Sequence, residues 1–226
     1  MAQESWHELP QIKPAFNYVQ QLVDNWMLVT SGDPDDLGTM TINWGGHGFI
    51  WRKNVVFMVI RESRNTLTYL ERHPTFSLTM FDESYRDKLT FCGRHTGREV
   101  NKLAECQFTP LFYGPEQTPY FDEAHTAIIC RRIYRTLMTE DDFIGGVDSD
   151  LWQTFYNTGI HTGDRHHLII ASVEKVLAKG DSSYSLSAIR VVPSAYLRLL
   201  IFLNLDFSLC FIQPGISHDV LCIAVK

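Results

Sequence analysis

Two short clusters of cations and hydroxyls carry the chemistry most visible in this chain. Arg61, Ser63, Arg64 and Thr66 place four such side chains within six positions, directly after the apolar run Asn54-Val55-Val56-Phe57-Met58-Val59-Ile60. Thr96, Gly97, Arg98 and Lys102 repeat the arrangement within Cys92-Gly93-Arg94-His95-Thr96-Gly97-Arg98-Glu99-Val100-Asn101-Lys102. Guanidinium, ammonium, hydroxyl and backbone N–H donors are what a phosphate dianion needs. Asn65 is placed to cap a helix over residues 66–72 that Pro74 stops, so the first cluster is expected where a strand meets a helix. Oriented N–H groups and the helix dipole favour an anion there. The second cluster is expected at another helix start, near Arg98. A single arginine of this kind is ordinarily solvated surface; two clusters flanking buried strands point instead to an anion site.

Upstream lies Thr39-Met40-Thr41-Ile42-Asn43-Trp44-Gly45-Gly46-His47-Gly48, with hydroxyl, amide and aromatic groups beside a glycine pair that lets another group approach the backbone closely. Read alone, the glycines are a hairpin turn and Trp44 is a core aromatic. Taken in this order and spacing, the three segments resemble the flavin reductase-like family, whose fold is the FMN-binding split β-barrel. The resemblance covers residues 15–179. It implies that Arg61, Ser63, Arg64, Thr66, Thr96, Gly97, Arg98 and Lys102 hold the phosphate of a noncovalent FMN. Thr39, Thr41, Asn43, Trp44, Gly45 and Gly46 would run along its ring.

A later stretch, Gly163-Asp164-Arg165-His166-His167-Leu168-Ile169-Ile170, resembles the family's Gly-Asp-His segment, whose histidine lies by the flavin and the nicotinamide. Here Arg165 intervenes, so the catalytic role falls on either His166 or His167. Ala171-Ser172 stands where the family usually has Gly-Glu. The implied reaction is two-electron reduction, with NADH or NADPH as donor and a small-molecule electron acceptor or partner redox protein as recipient. A homodimer is also implied, with flavin in a cleft shared by two subunits; the cysteine usage makes the cytoplasm the expected compartment. A flavin-binding or carrier module without turnover is the chief alternative, and a barrel that has lost FMN is another. Neither a GxSxG elbow nor an HExxH pair is present, which disfavours hydrolase and metal chemistry. Nor does a GxGxxG segment follow a strand and open a helix.

Composition agrees with a folded protein. The 226 residues are 45% hydrophobic and 20% charged, and the net charge of −6 includes no basic stripe, so nucleic acid is not an expected partner. The acidic start, Met1 to Glu8, lacks the basic and apolar regions of a signal peptide. Five cysteines without CxxC spacing suit buried small side chains in a reducing compartment better than a disulfide framework or a metal site.

The elements that must position these groups are mainly β, mostly antiparallel, with a few helices between strands. Phe16, Val19 and Leu22 at helical spacing suggest a helix over residues 14–23, and residues 26–30 read as a strand before an exposed turn at 31–36. Strands follow at 39–44, 55–60 and 76–81, the first broken by Gly45-Gly46. Tyr85, Leu89 and Cys92 share one helix face, with Gly93 placed to end that helix. Two long β-prone stretches, 126–138 and 167–179, complete the barrel, the second with Ile169, Ala171, Val173 and Val176 as inward candidates. Residues 1–179 are therefore expected as one domain. Residues 180–226, with the interrupted apolar segment Leu199 to Phe207, are expected as an extension without a catalytic role. That segment is too broken by Asn204 and Asp206 for a membrane span.

Overall fold

A computed structural model describes residues 5–9, 18–143, 150–180, 210–211 and 221–222. The chain divides into two compact units, Met1–Gly180 and Asp181–Lys226. In the second, Cys210–Phe211 pairs antiparallel with Leu221–Cys222; the apolar segment Leu199 to Phe207 lies outside the described residues.

The first unit is an antiparallel split β-barrel. Its strands are β1 (Trp6–Leu9), β2 (Met27–Gly32), β3 (Leu37–Ile42), β4 (Gly45–Ile50), β5 (Lys53–Arg61), β6 (Thr75–Met80), β7 (Pro110–Tyr113), β8 (Thr118–Phe121), β9 (Thr126–Leu137) and β10 (His166–Lys179). The main sheet runs β3-β2-β6-β9-β10-β5-β4, while β7 and β8 form a separate hairpin. The long strand β10 organises it. Its first half pairs with β5, from His166 opposite Arg61 to Ser172 opposite Val55, and its last residues pair with β1.

Strand alternation sorts the apolar residues into two cores. Met27, Val29, Val56, Met58, Ile60, Phe76, Leu78, Ile128, Ile169 and Ala171 fill the barrel. Leu28 points the other way and joins Phe81, Leu89, Cys92, Cys106, Phe108 and Phe121 under the helices. The inward set on β10 steps by two through Ile169, Ala171 and Val173, then by three to Val176. A bulge at Glu174, where Val173 faces Cys130 and Lys175 faces Ile129, absorbs the extra residue.

Several boundaries differ from the expected ones. Of the first expected helix, Phe16 lies outside the described residues; Tyr18–Gln20 is α-helical (α1) and Gln21–Asn25 is a wider π-turn. Leu22 is buried as expected, but Val19 is 62% exposed and Tyr18 is buried in its stead, where the helix gives way to the wider turn. Ser31 and Gly32 belong to buried β2, and the exposed turn is confined to residues 33–36, closed by the Asp33 side chain accepting from the N–H groups of Asp35 and Asp36. Asn65 is the first residue of α2 (Asn65–Arg72), and extended Arg64 occupies the cap position. Helix α3 (Arg86–Arg94) runs through Gly93, whose role is contact: a β-carbon there would lie 3.3 Å from that of Thr41 on β3. The next helix, α4, begins at Lys102 and ends at Cys106, later than expected, with the Asn101 side chain accepting from the Ala104 N–H. Residues 96–100 form a turn instead, closed by the Val100 N–H on the Thr96 carbonyl. Among the described residues no helix is long and apolar enough to cross a membrane.

Candidate functional site

The two cation–hydroxyl clusters, far apart in sequence, meet in space. One cavity of about 320 Å³ is lined by Ser63, Arg64, Thr66, Thr96, Gly97, Arg98 and Lys102, together with Met40, Asn65, Arg94, His95 and the carboxylate-bearing Glu99; Arg61, the other cation of the first cluster, does not line it. Strand β5 delivers the first cluster at its end, where the chain turns into α2. The turn before α4 delivers the second, and Arg98 ties the two by donating to the Ser63 carbonyl at 3.2 Å. A side chain at Gly97 would press on the Asn65 amide at 3.3 Å, so the small residue keeps this junction close.

The cations differ in what they already hold. Lys102 is buried, and its Nζ donates to the carbonyls of Thr39 (2.8 Å) and Cys92 (2.7 Å), pinning β3 to α3. Burial lowers its pKa from the ordinary lysine value. Arg61 is 8% exposed and donates to the carbonyls of Asp164 (2.6 Å) and Phe155 (3.0 Å), so its guanidinium ties the 155–164 segment to the barrel. Burial lowers its pKa too, against the pull of Asp164. Arg64 makes one such bond, to the Gly93 carbonyl at 2.9 Å, and lines three adjoining cavities. Its remaining donors make it the central anion-binding candidate.

A second cavity, about 150 Å³, adjoins the first at Arg64. It is lined by Thr41, Asn43, Trp44, Arg61 and His166, with Met40, Ile42 and Val59 as its apolar wall. Trp44 is 40% exposed and its ring lies 5.2 Å from those of His166 and Phe155. His166 is buried and shares a 2.9 Å hydrogen bond between Nδ1 and the Tyr156 hydroxyl. Burial, reinforced by the Arg61 charge, pushes its pKa down to about 4, so the ring is neutral near pH 7. His167 pairs with Ile60 and Leu137 and shares the barrel-facing side of Ile169, away from this groove.

Other sequence candidates are engaged within the fold. The Thr39 hydroxyl bonds Thr30 at 2.9 Å and the Val29 carbonyl at 3.2 Å, and Thr41, although it lines the second cavity, donates its hydroxyl to the Leu89 carbonyl. Gly45 and Gly46 lie in β4 opposite Met58 and Phe57; an added β-carbon would sit 2.3 Å from the Phe57 carbonyl and the Phe57 ring respectively. These glycines let β4 lie on β5. Arg94 and Tyr156 emerge only in three dimensions, and so does the contact that Asp164 makes. Asp164 accepts from both the N–H (3.0 Å) and the hydroxyl (2.7 Å) of Ser63. Its place in the Gly-Asp segment was visible in sequence; no local pattern marks Tyr156, which lies ten residues before His166.

The donor set suits a phosphate ester carrying a flat ring: convergent guanidinium and hydroxyl groups in one cavity, and an aromatic, an amide and a neutral imidazole in the next. Among the described residues no group of three or more His, Cys, Asp or Glu side chains could hold a metal ion.

The family model described as a flavin reductase like domain matches residues 20–192. No curated protein matches the sequence. Among solved structures the chain is similar to an FMN-binding domain of a flavin reductases-like enzyme from Shewanella baltica, at 14% identity over 79% of each chain and a TM-score of 0.53. It is also similar to flavoredoxin of Desulfovibrio vulgaris, at 18% identity over 70% of each chain and a TM-score of 0.51. A flavoredoxin from Methanosarcina acetivorans shares 15% identity over 74% of this chain and 75% of that one, with a TM-score of 0.51.

Proposed function

This chain belongs to the flavin reductase-like domain family, and from that premise we propose that it binds FMN noncovalently and uses it for two-electron reduction. The observation that carries the proposal is the convergence of both cation–hydroxyl clusters on one cavity that opens, at Arg64, into the Trp44–His166 groove. When bound, FMN supplies the redox chemistry, taking hydride from NADH or NADPH for delivery to a small-molecule acceptor or a partner redox protein.

The protein's own part is placement and electrostatics. Arg64 and Arg98 offer charge-assisted donors to the phosphate, with the hydroxyls of Ser63, Thr66 and Thr96 around them. Lys102 and Arg61 hold the walls: one fixes β3 against α3, the other fixes the 155–164 segment against β5. Trp44 supplies an apolar face. His166, neutral and hydrogen-bonded to Tyr156, places a ring nitrogen in the groove without adding a cation there.

A second copy of the chain suits the exposed face where β5, β10 and β9 bring Phe57, Ile170 and Tyr134 to one side. Phe57 and Tyr134 are 37% and 43% exposed there, with Trp51, 58% exposed, beside Tyr134. Apolar groups gathered in this way favour a protein partner.

Quenching of FMN fluorescence on adding the protein, followed by anaerobic bleaching of the flavin band with NADH or NADPH, is the expected result. A protein that leaves FMN fluorescence unchanged sinks the proposal. Binding without bleaching by either donor makes the chain a flavin carrier.

A further inference from the structure

One hydrogen bond in the groove wall decides which imidazole nitrogen of His166 carries the proton. Its Nδ1 lies 2.9 Å from the Tyr156 hydroxyl, and either atom could donate across that distance. What else each atom can reach settles the direction. Tyr156 ends α5 (Asp150–Tyr156) and is buried, with the Trp152 ring stacked on it at 4.6 Å and Phe143 against its edge. Among the described residues Nδ1 is the only hydrogen-bond partner of that hydroxyl. A hydroxyl that accepted from Nδ1–H would leave its own proton buried without an acceptor, which is unfavourable. Burial also raises the phenol's pKa, so the proton is there to give.

The other nitrogen meets the ligand space. Nε2 makes no hydrogen bond among the described residues, yet it is not sealed in, and His166 lines the cavity of about 150 Å³ with Trp44, Arg61 and Arg64. Both rings are braced. The Tyr156 carbonyl accepts from the Gly163 N–H at 2.8 Å, and Arg61 lies 5.7 Å from the centre of the Tyr156 ring while donating to the neighbouring Phe155 carbonyl. His166 is fixed in β10 directly opposite Arg61. Burial and that guanidinium keep the imidazole neutral, with one proton to place. With Nδ1 accepting, the proton sits on Nε2.

We propose that Tyr156 is a positioning residue: its hydroxyl donates to Nδ1, fixes His166 as the Nε2–H tautomer, and so presents a neutral hydrogen-bond donor to a carbonyl oxygen or bare ring nitrogen of a flat heteroaromatic ligand seated by Trp44. That the ligand is flavin rests on the function proposed above; the tautomer does not. A bare Nε2 would ask the ligand for a donor, so Tyr156 selects which edge of the ring faces His166.

Nitrogen NMR on the isotope-labelled full-length protein near neutral pH reads the tautomer directly, since a protonated imidazole nitrogen resonates far upfield of a bare one. Signals missing from His166→Asn pick this ring out of the nine histidines. Nδ1 should be bare and Nε2 protonated; the reverse overturns the proposal. Tyr156→Phe keeps the ring that Trp152 stacks on and removes the hydroxyl alone. Nδ1 should then shift further downfield, as a bare nitrogen does on losing a donor, and an unmoved Nδ1 overturns the proposal too. With FMN added, the Nε2 proton should move downfield as it gains an acceptor. FMN quenching without that movement removes the donor role and overturns it likewise. Failure to take up FMN strikes the flavin reading alone; an Nε2–H tautomer that depends on Tyr156 in the flavin-free protein would still uphold the positioning role.

Discussion

Arg64 and Lys102 both belong to the anion cluster, yet their surroundings assign them different work. Arg64 spends one bond on Gly93 and faces three cavities, so Arg64→Ala should weaken FMN binding about tenfold or more, with the fold preserved by circular dichroism. Lys102 is buried and bridges two carbonyls, so Lys102→Ala should also cost stability, about 1–3 kcal/mol in urea unfolding, by leaving Thr39 and Cys92 unpaired. A stable Lys102→Ala protein with weakened FMN binding would make the lysine a direct ligand instead. His166 provides a pH-dependent signature. Its pKa is about 4 in the fold against an ordinary 6.5, so below pH 6.5 the unfolded chain takes a proton that the native ring refuses. The stability contributed by the neutral ring is full above pH 6.5 and falls as pH drops toward 4, by at most about 3 kcal/mol. Comparing urea midpoints at pH 7.5 and 4.5, His166→Asn should show a smaller drop than the parent.

The element most exposed to a single change is the β4–β5 pair. Gly45 lies against the Phe57 carbonyl, where a methyl group would stand 2.3 Å from fixed backbone. Gly45→Ala should therefore cost about 1–3 kcal/mol, the usual toll of overpacking, and speed amide exchange in β4. Gly46→Ala meets the Phe57 ring at the same distance, but that ring is partly exposed and can swing aside, so its cost should be smaller. Equal costs for both would show that the ring is as immovable as the backbone. Period-2 alternation and β-branched runs made the strands readable. Two boundaries misread from sequence have different causes. Gly93 carries a local signal for a stop, yet α3 runs through it, packed against Thr41; α4 starts at Lys102 because the Asn101 side chain caps it, not near Arg98.

For the whole molecule, two outcomes follow from where apolar surface is closed and where it is left open. Trp51→Glu, beside the exposed Phe57–Tyr134 face, should shift a dimer toward monomer in light scattering while the monomer stays folded. A chain ending at Gly180 should fold and bind FMN at least as well as the full one. The β1–β10 pairing ends at Lys179, the Gly180 N–H reaches the Ser5 carbonyl, and the described barrel core is built from Tyr18 to Val176. An insoluble or flavin-free product would show that residues 181–226 complete the core or the dimer.

Strand periodicity was enough to read a mostly antiparallel small barrel, the resemblance to the flavin reductase-like family made it a split barrel, and residue types in their order singled out both cation–hydroxyl clusters. Those properties are local, because a strand alternates and a phosphate site needs cations whatever lies around them. Only tertiary structure decided which cation is free. Arg61, Arg64, Arg98 and Lys102 look alike along the chain, but Arg61 and Lys102 are drawn into buried hydrogen bonds with carbonyls from distant segments, leaving Arg64 at the meeting of three cavities. The histidine pair was resolved in the same way. Adjacent strand residues face opposite sides, and the register of β10 against β5, set by the barrel core, puts His166 rather than His167 beside Trp44.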